Sequence, residues 1–242
     1  MASLAVAAAF AAVAAAQQPP PPPPPPPSPS LSPITTSRSD HFFSDEFGRV
    51  RIFHGCARVE KKPPWYFEDL LHGDAEPALM GKLGFNVLRL GFMWSGFNPS
   101  PGVFNNTYLG VIKTIVAKLN RHGIHVLLDM HQDILSSKFC LYDGVPRWVI
   151  DKSEPAHAFP VPLAQPGENN CTLSGSPDSP CNCSRPWSEN ALTFAAATAY
   201  QDIYDNKHGM LDDLVGFWQE AAKQLKEMPG IIGVSPMQTC VV

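Results

Sequence analysis

The sequence predicts an α/β protein built on a parallel sheet. Three observations carry that prediction. Short apolar runs alternate with helical patterns from about residue 48 to residue 236. The runs are mostly apolar, so each needs cover on both faces, as strands of parallel sheets do. Charged side chains collect just after the runs, where α/β folds keep their functional groups. An open sheet and a closed (β/α)8 barrel both fit this pattern.

The elements follow in order. "GRVRIFHG" (48–55) reads as a strand carrying Val50 and Ile52 and stopping at Gly55. "EPALMGKLG" (76–84) reads as a short helix, with proline tolerated in its first turn and Gly84 at its end. "FNVLRLGF" (85–92) is a strand rich in Val and Leu. "YLGVIKTIVAKLNRHG" (108–123) places apolar residues at 109, 112, 115, 116 and 119, an amphipathic helix closed by Gly123. "IHVLLDM" (124–130) is the next strand. Residues 151–190 hold many prolines and no period, and a loop that long is an insertion or functional. Helical patterns return at 191–206 and 211–228, the second stopped by Pro229. "GIIGVSP" (230–236) is the fourth strand. A closed barrel of this kind needs eight.

Two segments precede the globular part. Residues 1–16 include Leu4–Val13, an apolar run of signal-peptide length, then Ala14, Ala15 and Ala16 as small residues for cleavage. The run is too short to span a bilayer, which takes about 20 apolar residues. Residues 17–38 form a proline-rich spacer with an unbroken proline run at 19–27, extended and unable to pack a core. The domain proper is expected over 39–242. With 44% hydrophobic residues it has material for one sizeable core.

The formal net charge is −4, so nothing points to nucleic acid or to an anionic membrane surface. Asn105, Asn170 and Asn182 each begin a glycosylation sequon. Cys171, Cys181 and Cys183 crowd the 151–190 loop and read as disulfide candidates; no fourth ligand stands near them for a metal. These features together predict a secreted protein, extracellular or in the lumen of the secretory–lysosomal pathway, with no membrane span once the signal is removed.

The chemistry concentrates in "VLLDMHQD" (126–133). Residues two apart share one face of a strand, so Asp129, His131 and Asp133 align if the strand persists that far. A hydrogen-bonded loop with an Asp cap is the plain alternative. Fully extended, Asp129 and Asp133 would stand about 13 Å apart. The strand at 85–90 delivers Arg89 and leads to Trp94. The strand at 50–55 leads to Lys61 and Trp65. Acidic, basic and aromatic groups gathered at strand ends fit a carbohydrate site, where hydroxyls take charge-assisted hydrogen bonds and sugar faces stack on rings.

"KLGFNVLRLGFMWSGFNPSPGVFNNTYL" (82–109), "GIHVLLDMHQD" (123–133), "DGVPRWVID" (143–151) and "YDNKHGMLDDLVGFWQEAAKQL" (204–225) resemble endoglycoceramidases of glycoside hydrolase family 5. The resemblance covers roughly 42–234, less the cysteine loop. It implies a (β/α)8 barrel, here about its first four β/α units, and a retaining hydrolase of β-glycosidic bonds in glycosphingolipids. It implies no cofactor and no metal. It makes Lys61, Arg89, His131 and Asp133 substrate-site residues, with Arg89 supporting the catalytic carboxylate. The expected partner is a glycolipid or another β-glycoside, with peripheral contact to lipid.

This chain departs from the family at three places. Ala57 stands where asparagine is usual, and Asn98 stands where an acidic residue before proline is common. After Gly233 the chain reads "VSPMQTCVV", which puts Gln238 at the Asn position and Thr239 at the acid/base position. Threonine cannot act as a general acid near neutral pH, and no counterpart of the nucleophile strand is seen. The sequence-based expectation is therefore an incomplete barrel, inactive alone. A non-catalytic glycolipid- or carbohydrate-binding remnant and a cellulase-type glycosidase are the alternatives.

Overall fold

The computed structural model describes residues 31–36, 41–133, 135–140, 144–163 and 187–239. Residues 1–30, and with them the signal segment and the proline run, lie outside the described part. So do Asn170, Asn182, Cys171, Cys181 and Cys183.

A hairpin opens the structure. Strand β1 (Ile34–Thr36) pairs antiparallel with β2 (Phe43–Asp45). Ile34–Thr36 falls in the segment read as spacer, so the end of that segment is paired backbone. Asp45, its side chain buried, closes the turn that follows β2 by accepting from the Phe47 and Arg49 amides and from Arg49 Nε. Phe42, Phe47, Val50 and Ile52 remain exposed around it.

The main sheet has four parallel strands in the order β3 (Gly55–Arg58), β4 (Val87–Gly91), β5 (His125–Gln132), β6 (Ile231–Thr239). The first strand corrects the sequence reading. Val50 makes only an isolated bridge to Ser44, and the ladder begins at Gly55, where the 48–55 strand was expected to stop. The reason is local: Gly55 lies against the Val87 carbonyl so closely that an added Cβ would meet it at 1.7 Å. The remaining strands fall where the apolar runs placed them.

Helices α1 (Glu68–His72) and α2 (Ala75–Lys82) connect β3 to β4. Helices α3 (Trp94–Phe97) and α4 (Asn106–Arg121) connect β4 to β5. Helices α5 (Arg147–Ile150), α6 (Phe194–Tyr204) and α7 (Met210–Leu225) lie between β5 and β6. The sheet order rises with chain order and never reverses, which distinguishes it from a doubly wound sheet with a switch point.

Local chemistry sets the two long helices. Asn105 caps α4, its side chain accepting from the Tyr108 amide, and Gly123 at φ +78° ends it. Ile112, Ile115, Val116 and Leu119 of α4 are fully buried, each contributing about 1.5–3 kcal/mol. Ahead of α7 the "NKHG" turn holds Asn206, His208 and Gly209 at positive φ. There the Asn206 side-chain oxygen accepts from the Leu211 and Asp212 amides.

The core fills the space between strands and helices. Leu88, Leu90, Val126, Leu128 and Met130 supply its sheet side. Phe92, Trp94, Phe97 and Phe217 form one aromatic block, with Phe92 to Phe217 at 5.5 Å and Trp94 to Phe217 at 5.7 Å between ring centroids. An apolar groove runs between α7 and β6, lined by Trp218, Leu225, Met228, Ile231 and Val234.

Candidate functional site: a charged chain at the strand ends

The structure brings together all four substrate-site residues expected from the sequence. Lys61 comes from the loop after β3, Arg89 from β4, and His131 and Asp133 from the end of β5. Asp129 joins them at the centre.

Arg89 is fixed from both sides. Alternation along β4 sends Leu88 and Leu90 into the core and Arg89 to the opposite face. Its neighbour on β3 is Ala57. Arg89 Nη2 donates to Asp129 Oδ2 at 2.7 Å. His131 Nδ1 lies 3.0 Å from the same oxygen. An ionised carboxylate only accepts, so His131 donates from Nδ1 and turns Nε2 toward Asp133, whose Oδ1 is 3.3 Å away. Asp133 Oδ2 completes the chain with an ion pair to Lys61 Nζ.

The electrostatics follow from burial and contact. Asp129 is fully buried. Burial alone would push its carboxyl up, but hydrogen bonds from His131 and Arg89 and the charge of Arg89 outweigh it, holding Asp129 below the ordinary carboxylate value. Lys61 is the most open member, its side chain 43% exposed, so the row is sealed at Asp129 and most accessible at Lys61. Such a row offers donors and acceptors to a polyol at the mouth of the sheet.

Two expectations are corrected here. Asp129 and Asp133 do not stand apart on one extended strand. The β5–β6 ladder shifts register between Asp129 and His131, β5 ends at Gln132, and both carboxylates touch one imidazole. Trp94 is no sugar platform: it is wholly buried, and its Nε1 donates to Asn98 Oδ1 at 3.2 Å. Trp65, at φ +72°, is the half-buried ring after Lys61.

Sequence reasoning missed the groups that hold the site in place. Gly144 of the "DGVPRW" stretch lies against β5, where an added Cβ would come within 2.1 Å of the His131 carbonyl. The Ser95 amide and hydroxyl both donate to the Gly144 carbonyl, at 2.8 and 3.0 Å. Asn98 is buried, donating to the Ser100 and Val103 carbonyls and accepting from Trp148 Nε1 through its own. These contacts pin the turn to the ends of β4 and β5. The glycine was the only sequence signal for them. Tyr200 of α6 also reaches the end of β5, at Gln132 and Asp133.

At the end of β6 the backbone pairs His131 with Gln238 and Gln132 with Thr239. That register sets Thr239 beside the His–Gln–Asp stretch. Asn105, the sequon inside the described residues, is half-buried and caps α4. Cys140 is disulfide-bonded, while Cys56 is free. Among the described residues no group of His, Cys, Asp and Glu is placed to hold a metal ion, and no helix is long and apolar enough to cross a membrane.

Residues 65–232 match the family model for cellulase, glycosyl hydrolase family 5. The chain belongs to glycosyl hydrolase family 5. Similar proteins include an endoglycoceramidase of Hydra vulgaris, 36% identical over 218 residues, covering 84% of this chain and 41% of that protein. An endoglycoceramidase of Cyanea nozakii is 37% identical over 195 residues, covering 78% of this chain and 38% of that one. The chain thus spans about two fifths of the length of these family 5 relatives. Among solved structures, an endogalactoceramidase superposes with a TM-score of 0.61 at 24% identity, covering 86% of this chain and 44% of that chain. Endo-glycoceramidase II from Rhodococcus sp. in a ganglioside GM3 complex gives 0.61 at 20% identity, covering 84% and 42%. These likenesses make the four-stranded sheet part of a (β/α)8 barrel, and its charged row sits where such barrels keep their chemistry.

Proposed function

We propose that this chain supplies the sugar-recognition half of a retaining glycoside hydrolase site acting on glycosphingolipids. The observation that carries the reading is the continuous row Lys61–Asp133–His131–Asp129–Arg89 at the C-terminal ends of three adjacent parallel strands. Similarity to endoglycoceramidases supports the substrate class. Lys61, His131 and Asp133 would meet the sugar hydroxyls, and Arg89 and Asp129 would brace them.

Retaining hydrolysis needs two carboxyl groups about 5–5.5 Å apart, one protonating the leaving oxygen and one attacking the anomeric carbon. Asp129 is sealed from solvent and committed to Arg89 and His131, and Asp133 is committed to His131 and Lys61. Neither suits the nucleophile's role, and Thr239 has no acidic proton to give. In this reading residues 39–242 bind the glycan, and turnover needs carboxylates they do not provide. Entry into the secretory pathway is part of the proposal, supported by the apolar segment at 4–13, the sequons and the disulfide at Cys140.

The test uses lactosylceramide in detergent micelles. Binding without release of lactose is the expected result for the 242-residue chain. Release of lactose would overturn the division between recognition and turnover. Absence of binding would overturn the glycolipid reading. The cellulase description of the family model favours a second substrate, a β-glucan. Cellotetraose binding stronger than lactosylceramide binding would select it.

A further inference from the structure

Of the row's members carried by β5, Asp133 has the least support from the sheet. The last β5–β6 pair is Gln132 with Thr239, so Asp133 lies one residue past the ladder. Yet its carboxylate makes the contacts to both His131 and Lys61. Its backbone needs another anchor, and α6 provides one. The Tyr200 hydroxyl donates to the Asp133 main-chain carbonyl at 2.8 Å and shares that one proton with the Gln132 side-chain oxygen beside it. Gln132 is itself fully buried, so a change at Tyr200 cannot be absorbed by solvent there.

We propose that Tyr200 is a positioning residue: its hydroxyl fixes the backbone of Asp133 and thereby the placement of His131 and Lys61. Its bearing on sugar binding rests on the reading of this row as a sugar site. The plain alternative is that the hydroxyl satisfies a buried carbonyl and does nothing for the row.

The experiment compares the full chain with its Tyr200→Phe variant, which keeps the ring and removes the hydroxyl. Two quantities are read: the imidazole 15N resonances of His131, assigned through a His131→Gln variant, and the affinity for lactose. Positioning predicts displaced His131 resonances and lactose binding weaker by about tenfold, the scale of one lost hydrogen bond. A purely structural hydroxyl predicts a lower melting temperature with His131 resonances and lactose affinity unchanged, and that result overturns the proposal. If the native chain ignores lactose while Tyr200→Phe still moves the His131 resonances, the sugar reading fails and the positioning role stands. Should Tyr200→Phe not fold, 4-fluorophenylalanine at position 200 gives the same readout, filling the hydroxyl's place with an atom that cannot donate. Unmoved His131 resonances there would overturn the proposal as well.

Discussion

Arg89 and His131 converge on one oxygen of Asp129, at 2.7 and 3.0 Å, and Asp129 is fully buried beneath them. Removing the carboxylate leaves the guanidinium facing a neutral group, and breaking a buried pair costs about 3–5 kcal/mol. Asp129→Ala is expected to lower unfolding free energy by that amount in a urea titration. A loss below about 1 kcal/mol, the ceiling of an exposed pair, would show that Asp129 does not act as a buried partner.

Gly144 is the contact between the "DGVPRW" turn and β5. A methyl group there would overlap the His131 carbonyl. Gly144→Ala therefore forces the turn or the strand end to move, at about 1–3 kcal/mol for overpacking. Lactose affinity should fall together with stability. Unchanged affinity at reduced stability would place the movement in the turn alone.

His125 begins β5, buried to 2% exposure, with no hydrogen-bond partner at either ring nitrogen among the described residues. Burial, helped by the charge of Arg51, holds its imidazole below the ordinary value of 6.5. The unfolded chain takes up a proton there more readily than the folded one. The stability contribution is therefore complete above about pH 6.5 and is lost as pH falls below it toward the depressed value. His125→Leu should flatten the acid limb of the stability profile in that window. An unaltered limb would assign the pH dependence to other groups.

Asn98 donates both amide hydrogens to main-chain carbonyls. Asp at that position could accept but not donate. Asn98→Asp should cost about 1–3 kcal/mol by stranding buried carbonyls, measured by thermal unfolding at neutral pH. Recovery of the loss at low pH, where a protonated Asp regains one donor, would confirm that donation is what matters.

The fold was legible because its signals are local. The stripe at 109, 112, 115, 116 and 119 and the apolar runs at 85–92 and 124–130 each carry their own periodicity. The first strand was misplaced because Val50 and Ile52 look like strand residues but face water, while Gly55–Arg58 earns its pairing from a close approach that only the partner strand reveals. Of the site, His131 and Asp133 drew attention because charge directly after an apolar run is unusual, and the family resemblance added Lys61 and Arg89. Trp94 misled for the same reason: an aromatic near a strand end looks functional until its neighbours are known. Tyr200 and Gly144 act across 67 and 13 positions of sequence; nothing around Tyr200 marks it, and the "DGVPRW" stretch marks Gly144 without showing what it touches.

The strand order bears on how the chain is made. Each strand of the sheet pairs with the one synthesised just before it: β4 with β3, β5 with β4, β6 with β5. Within the described sheet, each strand after the first finds its earlier neighbour already made. Pairing can therefore keep pace with the ribosome, whose product folds from its amino-terminal end at about 5–20 residues per second of elongation. Lys61 and Arg89 emerge before the acids they serve and spend that interval solvated. The row closes when residue 133 arrives, and Tyr200 follows a few seconds later to hold it.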